Sequence, residues 1–556
     1  MLVKLQMNNI KNIKNYLKIY KIDACLISKN NQFLNEFIEP QENYLKKITK
    51  FTGSLGYALI FKKKQSLYVD GRYTQQAKKQ SKIFNIKDLS VLKKDLQKIS
   101  KNKKKLLIDP KTFSTNFFYK MKIKNFVFFN SIKIPKKKEE LFILEKNFCG
   151  IKTEEKQKKL NTNLRLKKNE IFLISSPENI AWLINVRSKS KKFSKIFNCF
   201  AVLHNKKIYI YSNQKINLKI KNVIFKNETK FIKDLSNINK IYLDTKYTSF
   251  YYYKLFLNKK IKIKPINDPI DFFKSIKNPT EITNLKVAHM FDGIAYCKFL
   301  YWLKNNNLKN ISEITCQKKI EILKKSNKFY LGPSFHTISA TGKNASIIHY
   351  NANEFKKTYL KSGDLFLFDV GSQYFFGTTD MTRTISLGKQ NFFRKKMYTL
   401  VLKSHISAST SNLKNLTGKK LDKIARLNFL KFGYNYNHGT GHGVGFLSNV
   451  HETPPSISKF YNNKFYSNQV ISNEPGFYKN NKFGIRLENL IYVEDNNQFK
   501  NLTLVPFEKS MILLSMLNKK EINWINNYHI EVYEKIHKFL NSKEKKFLKE
   551  YCSKIN

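Results

Sequence analysis

Two aspartates in the C-terminal half of this 556-residue chain stand where a charged side chain is costly. Asp369 follows the four apolar residues LFLF in a segment that reads as a buried strand, and Asp380 comes 11 residues later, at the far arm of a predicted hairpin. A buried carboxylate needs a partner, such as a cation, to offset its lost hydration. Taken alone, the two residues are explained equally well as a helix cap and a turn residue.

Two glutamates repeat this pattern further along the chain. Glu474 lies in ISNEPGFY, and Glu488 lies 14 residues later in the apolar run GIRLENLIYV, with KNNK as the predicted turn between them. Between the two acidic pairs is HGTGHGVG, residues 438–445, which contains His442. Glycine lets a backbone approach another group closely, and neutral histidine is the commonest metal ligand. A single histidine among glycines is more often structural, so the inference depends on the whole set.

The five side chains form a ligand set of oxygens with one nitrogen: Asp369, Asp380, His442, Glu474 and Glu488. Such a set suits two divalent ions, Mn²⁺ or Co²⁺ before Zn²⁺. Two ions about 3.5–4 Å apart hold a hydroxide between them and polarise a carbonyl group, which is the chemistry of two-metal hydrolysis. The sequence therefore predicts a dinuclear hydrolytic centre whose carboxylates neutralise the charge of the metals.

Composition places the chemistry in the same half of the chain. Fourteen of the 19 glycines lie between Gly332 and Gly484, and six of the ten histidines lie between His336 and His451. Only seven of the 103 basic residues are arginine, so a retained arginine marks a place where lysine cannot replace the planar guanidinium. Four of the seven lie in short stretches marked by glycine or aromatic residues: DGRY, WLINVR, TTDMTRT and FGIRLEN.

The formal net charge of +63 would by itself favour a nucleic-acid partner. The lysines are spread along the chain, however, rather than gathered on one segment. We therefore expect only non-specific, salt-dependent attraction to polyanions and no specific nucleic acid. The six cysteines are widely scattered without paired spacing, which is typical of free thiols in a reducing cytoplasm.

The length and hydropathy of the chain indicate a multidomain globular protein. At about 150 residues per domain, the chain accommodates three to four domains. No apolar run approaches the roughly 18 residues of a membrane-spanning helix, so no membrane association is expected. The first 20 residues, MLVKLQMNNIKNIKNYLKIY, predict an amphipathic helix rather than a secretory signal, and we expect a cytoplasmic location.

Strand and helix patterns divide the chain into four parts: 1–145, 146–273, 274–497 and 498–556. In the first part, GYALIFK and QSLYVDGR predict a hairpin with a lysine-rich turn, IDACLIS a further strand and RYTQQAKKQSK a helix. In the second, a helix in TEEKQKKLNTNLRLKK precedes strands EIFLISS, FAVLHN and KIYIYS. The third begins with the longest apolar helical periodicity, at 274–305, and the fourth contains a helix in NKKEINWINNYHIEVYEKIHKFL.

With these motifs in order, the chain resembles the aminopeptidase P family of Xaa-Pro aminopeptidases, in the creatinase, prolidase and methionine aminopeptidase superfamily. The catalytic-domain motifs that carry the resemblance are SFHTISATGKNASIIHY, HGTGHGVGFLSNVHE and EPGFY. FTGSLGYALI, VDGRYTQQA, ENIAWLINVR, NLTLVPF and EINWINNYH extend it along nearly the whole chain. The resemblance implies two creatinase-like N-terminal αβ domains, then a pita-bread catalytic domain of mixed α and β structure with a short C-terminal extension.

The resemblance also implies a metal-binding role for each of the five residues. Asp380 would bind one ion through both oxygens, His442 and Glu474 would complete the other, and Asp369 and Glu488 would bridge. Glu474 would also accept the proton of the bridging water as the general base. Peptides with proline in the second position would be the substrates, and a homodimer formed through the catalytic domain is expected.

Four further residues would shape the substrate site under the same resemblance. His349, His438 and His451 would hydrogen-bond the scissile carbonyl, the oxyanion or the backbone on the proline side. Arg486 would orient the site through Asp369 and Tyr478. By itself, His349 is better explained as a strand histidine whose hydrogen bonds are satisfied, and only its place in the set favours the substrate role.

Two stretches depart from the family pattern. The glycine and aspartate that usually follow WLLN-R are replaced by RSKSKKFSK, and the aspartate usual after Tyr374 is replaced within Phe375–Phe376. Neither change touches a predicted metal ligand, and the first leaves open which details of the substrate cleft the second domain contributes. Two alternatives stay open: an Xaa-Pro dipeptidase or other pita-bread hydrolase, and a non-catalytic pita-bread module, which would typically have lost metal ligands that this chain keeps.

Overall fold

The computed structural model describes residues 3–5, 9–131, 138–352, 354–355 and 357–556. It divides into two compact units. The first comprises Met1–Ile143, Lys152–Ser188 and Ile196–Ile270, and the second comprises Leu144–Ile151, Lys189–Lys195 and Asp271–Asn556. Of the helices in the described part of the chain, none has both the length and the apolar character needed to cross a bilayer.

The described part of the chain contains α-helices in both units. In chain order they are α1 (Ile10–Ile19), α2 (Tyr44–Thr49), α3 (Thr74–Gln80), α4 (Leu92–Lys101), α5 (Thr115–Met121), α6 (Lys146–Cys149), α7 (Thr153–Leu164), α8 (Pro177–Leu183), α9 (Phe250–Asn258), α10 (Pro269–Ser275), α11 (Pro279–Lys304), α12 (Glu313–Lys325), α13 (Phe392–Ser409), α14 (Gly418–Leu430), α15 (Lys519–Ile536) and α16 (Ser542–Tyr551).

The first unit contains two larger sheets, each of mixed parallel and antiparallel pairing. The strands of the first sheet are β1 (Val3–Leu5), β2 (Ala24–Ser28), β3 (Tyr57–Phe61), β4 (Gln65–Val69), β5 (Asn85–Asp88), β6 (Leu106–Ile108) and β7 (Phe126–Ser131), in the order β1-β7-β6-β2-β3-β4-β5. The remaining strands of the unit are β8 (Leu141–Ile143), β9 (Glu170–Ile174), β10 (Val186–Ser188), β11 (Phe200–His204), β12 (Lys207–Ser212), β13 (Val223–Asn227), β14 (Lys240–Leu243) and β15 (Lys262–Pro265), of which six form the second sheet in the order β13-β12-β11-β9-β14-β15.

The strands predicted for this unit are all present, including the β3–β4 hairpin across its lysine turn. The predicted N-terminal helix is wrong at its start. Helix α1 begins at Ile10, where the Asn9 side chain accepts a hydrogen bond from the Asn12 amide, whereas Val3–Leu5 pairs as a parallel strand with β7. A capping asparagine fixes where a helix starts, and the apolar residues before it are left to join the sheet. The basic stretch IKIPKKKEELFILEKNF predicts a linker between the first two parts of the chain, and its residues 132–137 lie outside the described residues.

The strands of the second unit form four small sheets. They are β16 (Tyr330–Pro333), β17 (Ile338–Thr341), β18 (Leu365–Val370), β19 (Ser372–Tyr374), β20 (Gly377–Thr378), β21 (Met381–Ser386), β22 (Gly441–Gly443), β23 (Glu452–Ile457), β24 (Val470–Asn473), β25 (Gly476–Lys479), β26 (Phe483–Arg486), β27 (Asn489–Val493) and β28 (Phe499–Asn501). Their orders are β16-β19-β20, β17-β18-β21, β23-β22-β24-β27-β28 and β25-β26.

The long helix predicted over 274–305 is α11, which spans 26 residues. Its start is fixed by a reciprocal pair of hydrogen bonds between Asn278 and Glu281, with a proline in the first turn. One face of α11 packs Tyr296, Phe299 and other apolar residues against β18 and β21, which form the hydrophobic core behind the predicted metal ligands. The core therefore supports these strands from the side opposite the predicted site.

Candidate metal centre

Asp369 and Asp380 lie on the two arms of one interrupted hairpin. Strands β18 and β21 pair antiparallel with Asp369 opposite Thr382, and the small β19–β20 hairpin lies between them. Asp380 directly precedes β21. The chain thus brings the two carboxylates to the same end of the hairpin, although they are separated by 11 residues.

Glu474 and Glu488 occupy the break in a second hairpin. Strand β24 pairs with β27 up to Asn473 opposite Asn489, and β25 pairs with β26 around the KNNK turn from Gly476 opposite Arg486. The two glutamates lie between these paired regions, so Glu488 is outside the strand predicted for it. A single bridge between Thr382 and Glu488 joins this hairpin to the first, and the threonine hydroxyl donates to Glu488 Oε2 over 2.7 Å.

His442 comes from β22 and faces both hairpins. Its Nε2 lies 3.6 Å from Asp380 Oδ2 and 3.7 Å from Glu474 Oε1. Ligand atoms of Asp380, His442 and Glu488 all lie within 4.8 Å of one another. The Glu474 amide donates to the Thr440 carbonyl over 2.8 Å, which ties the second hairpin to the histidine strand. Four of the five predicted ligands are therefore linked by direct distances around one point.

The fifth predicted ligand, Asp369, reaches this cluster through Arg486. Both residues are buried, and the Arg486 guanidinium donates to Asp369 Oδ2 over 2.5 Å. The same side chain donates to the Tyr478 hydroxyl over 2.9 Å and to the Thr382 hydroxyl over 3.1 Å. Because Thr382 also donates to Glu488, the guanidinium fixes one carboxylate directly and a second through a hydroxyl group.

Burial and mutual repulsion disfavour the ionised form of these carboxylates. Asp369, Asp380 and Glu488 are 6%, 5% and 2% exposed. Burial raises the pKa of Asp380 well above its ordinary value, and repulsion from the neighbouring carboxylates raises it further. Burial and repulsion from Glu474 and Asp369 likewise raise the pKa of Glu488 well above its ordinary value. Burial also raises the pKa of Asp369, although Arg486 opposes that shift. Such a cluster lacks sufficient positive charge of its own.

Two observations indicate that metal ions suit this cluster. Asp369 Oδ1 is buried without a hydrogen-bond partner in the described part of the chain, although its other oxygen is bonded to Arg486. The His442 Nδ1 lies 2.9 Å from the Gly443 carbonyl. Since a carbonyl only accepts, Nδ1 carries the proton and Nε2 presents its lone pair toward the carboxylates. A buried bare oxygen and an oriented imidazole nitrogen are both ligands for divalent cations.

His438 and His451, both predicted to bind substrate, contact this network. His438 Nε2 lies 3.0 Å from the Tyr478 hydroxyl, and its Nδ1 lies 2.8 Å from the Gly439 carbonyl. The His451 ring packs edge-on against the His442 ring, with 4.5 Å between centroids. His349 lies half-buried in a turn. The carbonyl of the residue before it, Ile348, accepts a hydrogen bond from Arg486 over 3.4 Å.

Gly441 explains part of the glycine content of HGTGHGVG. A Cβ atom at this position would lie 1.8 Å from the Ser472 carbonyl oxygen, whereas at Gly439 the nearest atoms would be 3.4 Å away. Only a residue without a side chain therefore lets β22 lie this close to β24.

We expect Gly441→Ala to lower the free energy of unfolding by about 1–3 kcal/mol or more, because the clash is with backbone that cannot rotate away. Gly439→Ala is the matched control and should change it by much less. Chemical denaturation of the two variants measures the difference, and equal stabilities would contradict the close approach.

Sequence reasoning missed two residues that hold this site. Asp292, in the middle of α11, accepts hydrogen bonds from Ser372 over 2.6 Å, from Tyr374 over 2.8 Å and from Thr379. Because Thr379 directly precedes Asp380, Asp292 fixes the turn that presents the second aspartate. A carboxylate on the apolar face of the longest helix was the available signal.

Arg426 is the other missed residue. It pairs with Asp422 over 2.9 Å and donates to the carbonyls of Tyr436 over 2.7 Å and His438 over 2.5 Å, so it holds the approach to HGTGHGVG. As one of seven retained arginines, it carried the signal that singled out Arg486. Arg426 lies in α14, and neither of the residues next to it in sequence is glycine or aromatic. The pattern that singled out four of the other arginines therefore did not include it.

Arg383 supports the junction of the two hairpins. It donates to the carbonyls of Thr382 over 2.9 Å and Glu488 over 2.6 Å. It also donates to the Val505 carbonyl over 2.6 Å and the Tyr528 hydroxyl over 2.9 Å. Five donors in one plane allow this simultaneous contact, which explains why lysine has not replaced the residue.

Comparison with known proteins agrees with this geometry. Residues 283–495 match the model for metallopeptidase family M24, and residues 497–555 match that for the C-terminal region of the same peptidases. Residues 9–130 and 133–281 each match a creatinase/prolidase N-terminal domain. Xaa-Pro aminopeptidase 1 of Dictyostelium discoideum is 30% identical over 95% of this chain and 92% of its own length. The chain belongs to metallopeptidase family M24. The expected architecture of creatinase-like N-terminal domains and a pita-bread domain is confirmed.

Solved structures of M24 peptidases extend the comparison to three dimensions. The X-prolyl aminopeptidase of Caenorhabditis elegans, described as a cytosolic enzyme with a di-nuclear active site, matches with a TM-score of 0.87 at 26% identity, over 96% of this chain and 95% of that one. The prolidase of Pyrococcus horikoshii is 27% identical with a TM-score of 0.54, over 64% of this chain and 99% of that one. The similarity to the aminopeptidase thus extends over more of this M24 chain.

Proposed function

We propose that this chain is an Xaa-Pro aminopeptidase that hydrolyses the first peptide bond of peptides with proline in second position. The observation that carries the proposal is the convergence of Asp380, His442, Glu474 and Glu488, with Asp369 held beside them by Arg486. The Dictyostelium discoideum and Caenorhabditis elegans aminopeptidases reported above each match over at least 95% of the chain, whereas the Pyrococcus horikoshii prolidase matches over 64% of it. This difference in coverage favours the aminopeptidase over the dipeptidase.

The five ligands divide differently from the sequence-based expectation. Asp380 and Glu488 share one cluster with His442, so these two carboxylates are the better placed to contact both ions. His442 and Glu474 would then hold one ion, because the imidazole nitrogen faces that glutamate. Asp369, whose Oδ2 is held by Arg486 and whose Oδ1 accepts no hydrogen bond in the described part of the chain, would hold the other. The expectation that Asp369 bridges and Asp380 serves one ion is therefore reversed in this proposal.

Two divalent ions at this site would polarise the scissile carbonyl and lower the pKa of a water molecule. The chain's own groups do the rest. The Glu474 side chain is 19% exposed, the most accessible of the four carboxylates, so it is placed to accept a proton and pass it to the leaving nitrogen. His438 and His451 are placed to hydrogen-bond the substrate carbonyl or the developing oxyanion, and His349 is assigned to the same pocket.

Manganese is the metal we propose, because oxygen ligands with one imidazole favour it over zinc. A homodimer and a cytoplasmic location belong to the same proposal. The C. elegans relative is described as cytosolic, which supports the location. Light scattering of the purified protein tests the dimer.

The proposal predicts that activity on Xaa-Pro-Xaa peptides disappears when metals are stripped and returns when Mn²⁺ is restored. We expect about two ions per chain in the restored protein by elemental analysis, since two ions are needed to hold and polarise the reactants. A matched peptide with alanine in second position serves as the substrate control. Cleavage that survives complete metal removal would contradict the proposal.

A further inference from the structure

The lysine-rich segment 189–195, KSKKFSK, belongs to the second unit by its packing, although residues of the first unit precede and follow it in sequence. Four of its seven residues are lysine. It lies in one of the two stretches in which the chain departs from the pattern of its family. Its position relative to the metal centre therefore bears on which peptides the enzyme accepts.

The segment packs on residues 332–336. The Phe193 ring lies 4.3 Å from the His336 ring, centroid to centroid. A Cβ atom placed on Gly332 would lie 3.2 Å from the Lys192 carbonyl oxygen and 3.4 Å from the Lys195 ammonium. These contacts at both ends show that the segment follows residues 332–336 closely.

Residues 332–336 in turn lie against the two aspartate turns. The Ser334 hydroxyl donates to the carbonyl of Thr379, which precedes Asp380, over 2.9 Å. A Cβ atom placed on Gly371, two residues after Asp369, would meet that hydroxyl at 2.1 Å and the Phe335 ring at 2.5 Å. The lysine-rich segment is therefore separated from the metal-binding turns by one layer of chain.

A second contact reaches the histidine side of the centre. The Ser194 hydroxyl donates to Asn449 Oδ1 over 2.6 Å. Asn449 lies two residues before His451, whose ring packs against His442. The segment therefore contacts chain that borders the centre on both sides, residues 332–336 and Asn449, and we call it the rim.

The cationic groups of the segment are held by specific contacts. The Lys195 side chain is buried, and its ammonium donates to the Lys191 carbonyl over 2.6 Å, which fixes the backbone between them. The Lys192 ammonium lies 5.2 Å above the Phe193 ring, on the residue that contacts His336. Lys189 and Lys192 are both exposed. Exposed ammonium groups on a rim next to a low-dielectric centre attract anions and repel cations.

We propose that segment 189–195 recognises a carboxylate on the part of the peptide downstream of the scissile bond. This inference rests on the peptidase function proposed above. The free amino end of a peptide is cationic, so the lysines disfavour it and favour an anionic portion. A downstream carboxylate has two sources, the C-terminal carboxylate of a short peptide and an aspartate or glutamate side chain.

Two substrate pairs separate these sources. Ala-Pro-Ala with a free C-terminus is compared with its amide, and Ala-Pro-Ala-Glu-NH₂ is compared with Ala-Pro-Ala-Gln-NH₂. For Lys189→Gln/Lys192→Gln we expect KM to rise about three- to tenfold for the anionic member of at least one pair, the size of one or two exposed ion pairs, with kcat unchanged. The wild-type preference should also weaken with added salt, because exposed charges are screened.

The control is Lys419→Gln/Lys420→Gln, which removes two exposed lysines of α14 in the same unit. For each substrate pair, the ratio of kcat/KM for the anionic member to kcat/KM for the neutral member should stay at its wild-type value. A change confined to the first pair assigns the C-terminal carboxylate, and a change in the second assigns an acidic side chain. Ratios that are equal in the wild type and the Lys189/Lys192 variant would overturn the proposal. Cleavage of the neutral substrates measures peptidase activity by itself. The assay therefore distinguishes a protein that does not recognise the carboxylate from one that is not a peptidase.

Discussion

Asp380→Asn is expected to weaken the binding of both metal ions strongly and, with it, to lower the rate of peptide hydrolysis. Ligand atoms of Asp380, His442 and Glu488 all lie within 4.8 Å of one another, so in our proposal the Asp380 carboxylate contacts both ions rather than one. Loss of groups that only orient a ligand already weakens metal binding by about 10–100-fold. We therefore expect a loss of at least about 100-fold in affinity, measured by calorimetric titration of stripped protein with Mn²⁺.

The matched control is Asp495→Asn, which neutralises an exposed aspartate of the same unit. It should bind two ions with wild-type affinity. Circular dichroism of the metal-free proteins shows whether the Asp380 variant is folded. A folded Asp380→Asn protein that binds two ions as tightly as the wild type would rule out the shared-ligand role.

Glu474→Gln is expected to lower kcat by about 10²–10⁴-fold, the usual contribution of a general base. The amide keeps an oxygen that can face the metal ions but cannot accept the proton. The His442 Nε2 lies 3.7 Å from the Glu474 carboxylate, so the substitution leaves the histidine as a ligand. We therefore expect kcat to fall by a larger factor than metal affinity.

Single-turnover assays at saturating Mn²⁺ measure this loss without contributions from binding or product release. Glu494→Gln provides the control, since Glu494 follows β27 on the same hairpin outside the cluster. It should retain wild-type kcat. A Glu474→Gln enzyme that binds two ions and turns over at the wild-type rate would show that another group accepts the proton.

The metal ligands that we propose could be predicted from the sequence because they differ from the residues around them. Asp369 and Glu488 are carboxylates among apolar residues that fold into buried structure, and His442 stands among glycines. Alternation and helical periodicity also predicted the strands and helices near these residues. The pattern could not predict which hairpins contact each other. The Thr382–Glu488 bridge joins two hairpins that are more than a hundred residues apart, and periodicity carries no information on such contacts.

The sequence also could not predict how the proposed ligands divide between two ions. Asp380 and Asp369 are both strand-associated aspartates, and only the arrangement of the hairpins places one beside His442 and the other beside Arg486. The short parallel strands β5, β6 and β13 were missed for a related reason. They lack a long alternating pattern, and neighbouring strands determine their register.

Arg383 has a practical consequence for experiments on shorter versions of this chain. Its guanidinium contacts the backbone of Glu488 and also the Tyr528 hydroxyl of α15. Truncation before α15 would take away that acceptor and leave a buried positive charge less well solvated, next to a predicted metal ligand. Expression trials that aim for a minimal peptidase should therefore place the C-terminal boundary after Ile536, the last residue of that helix.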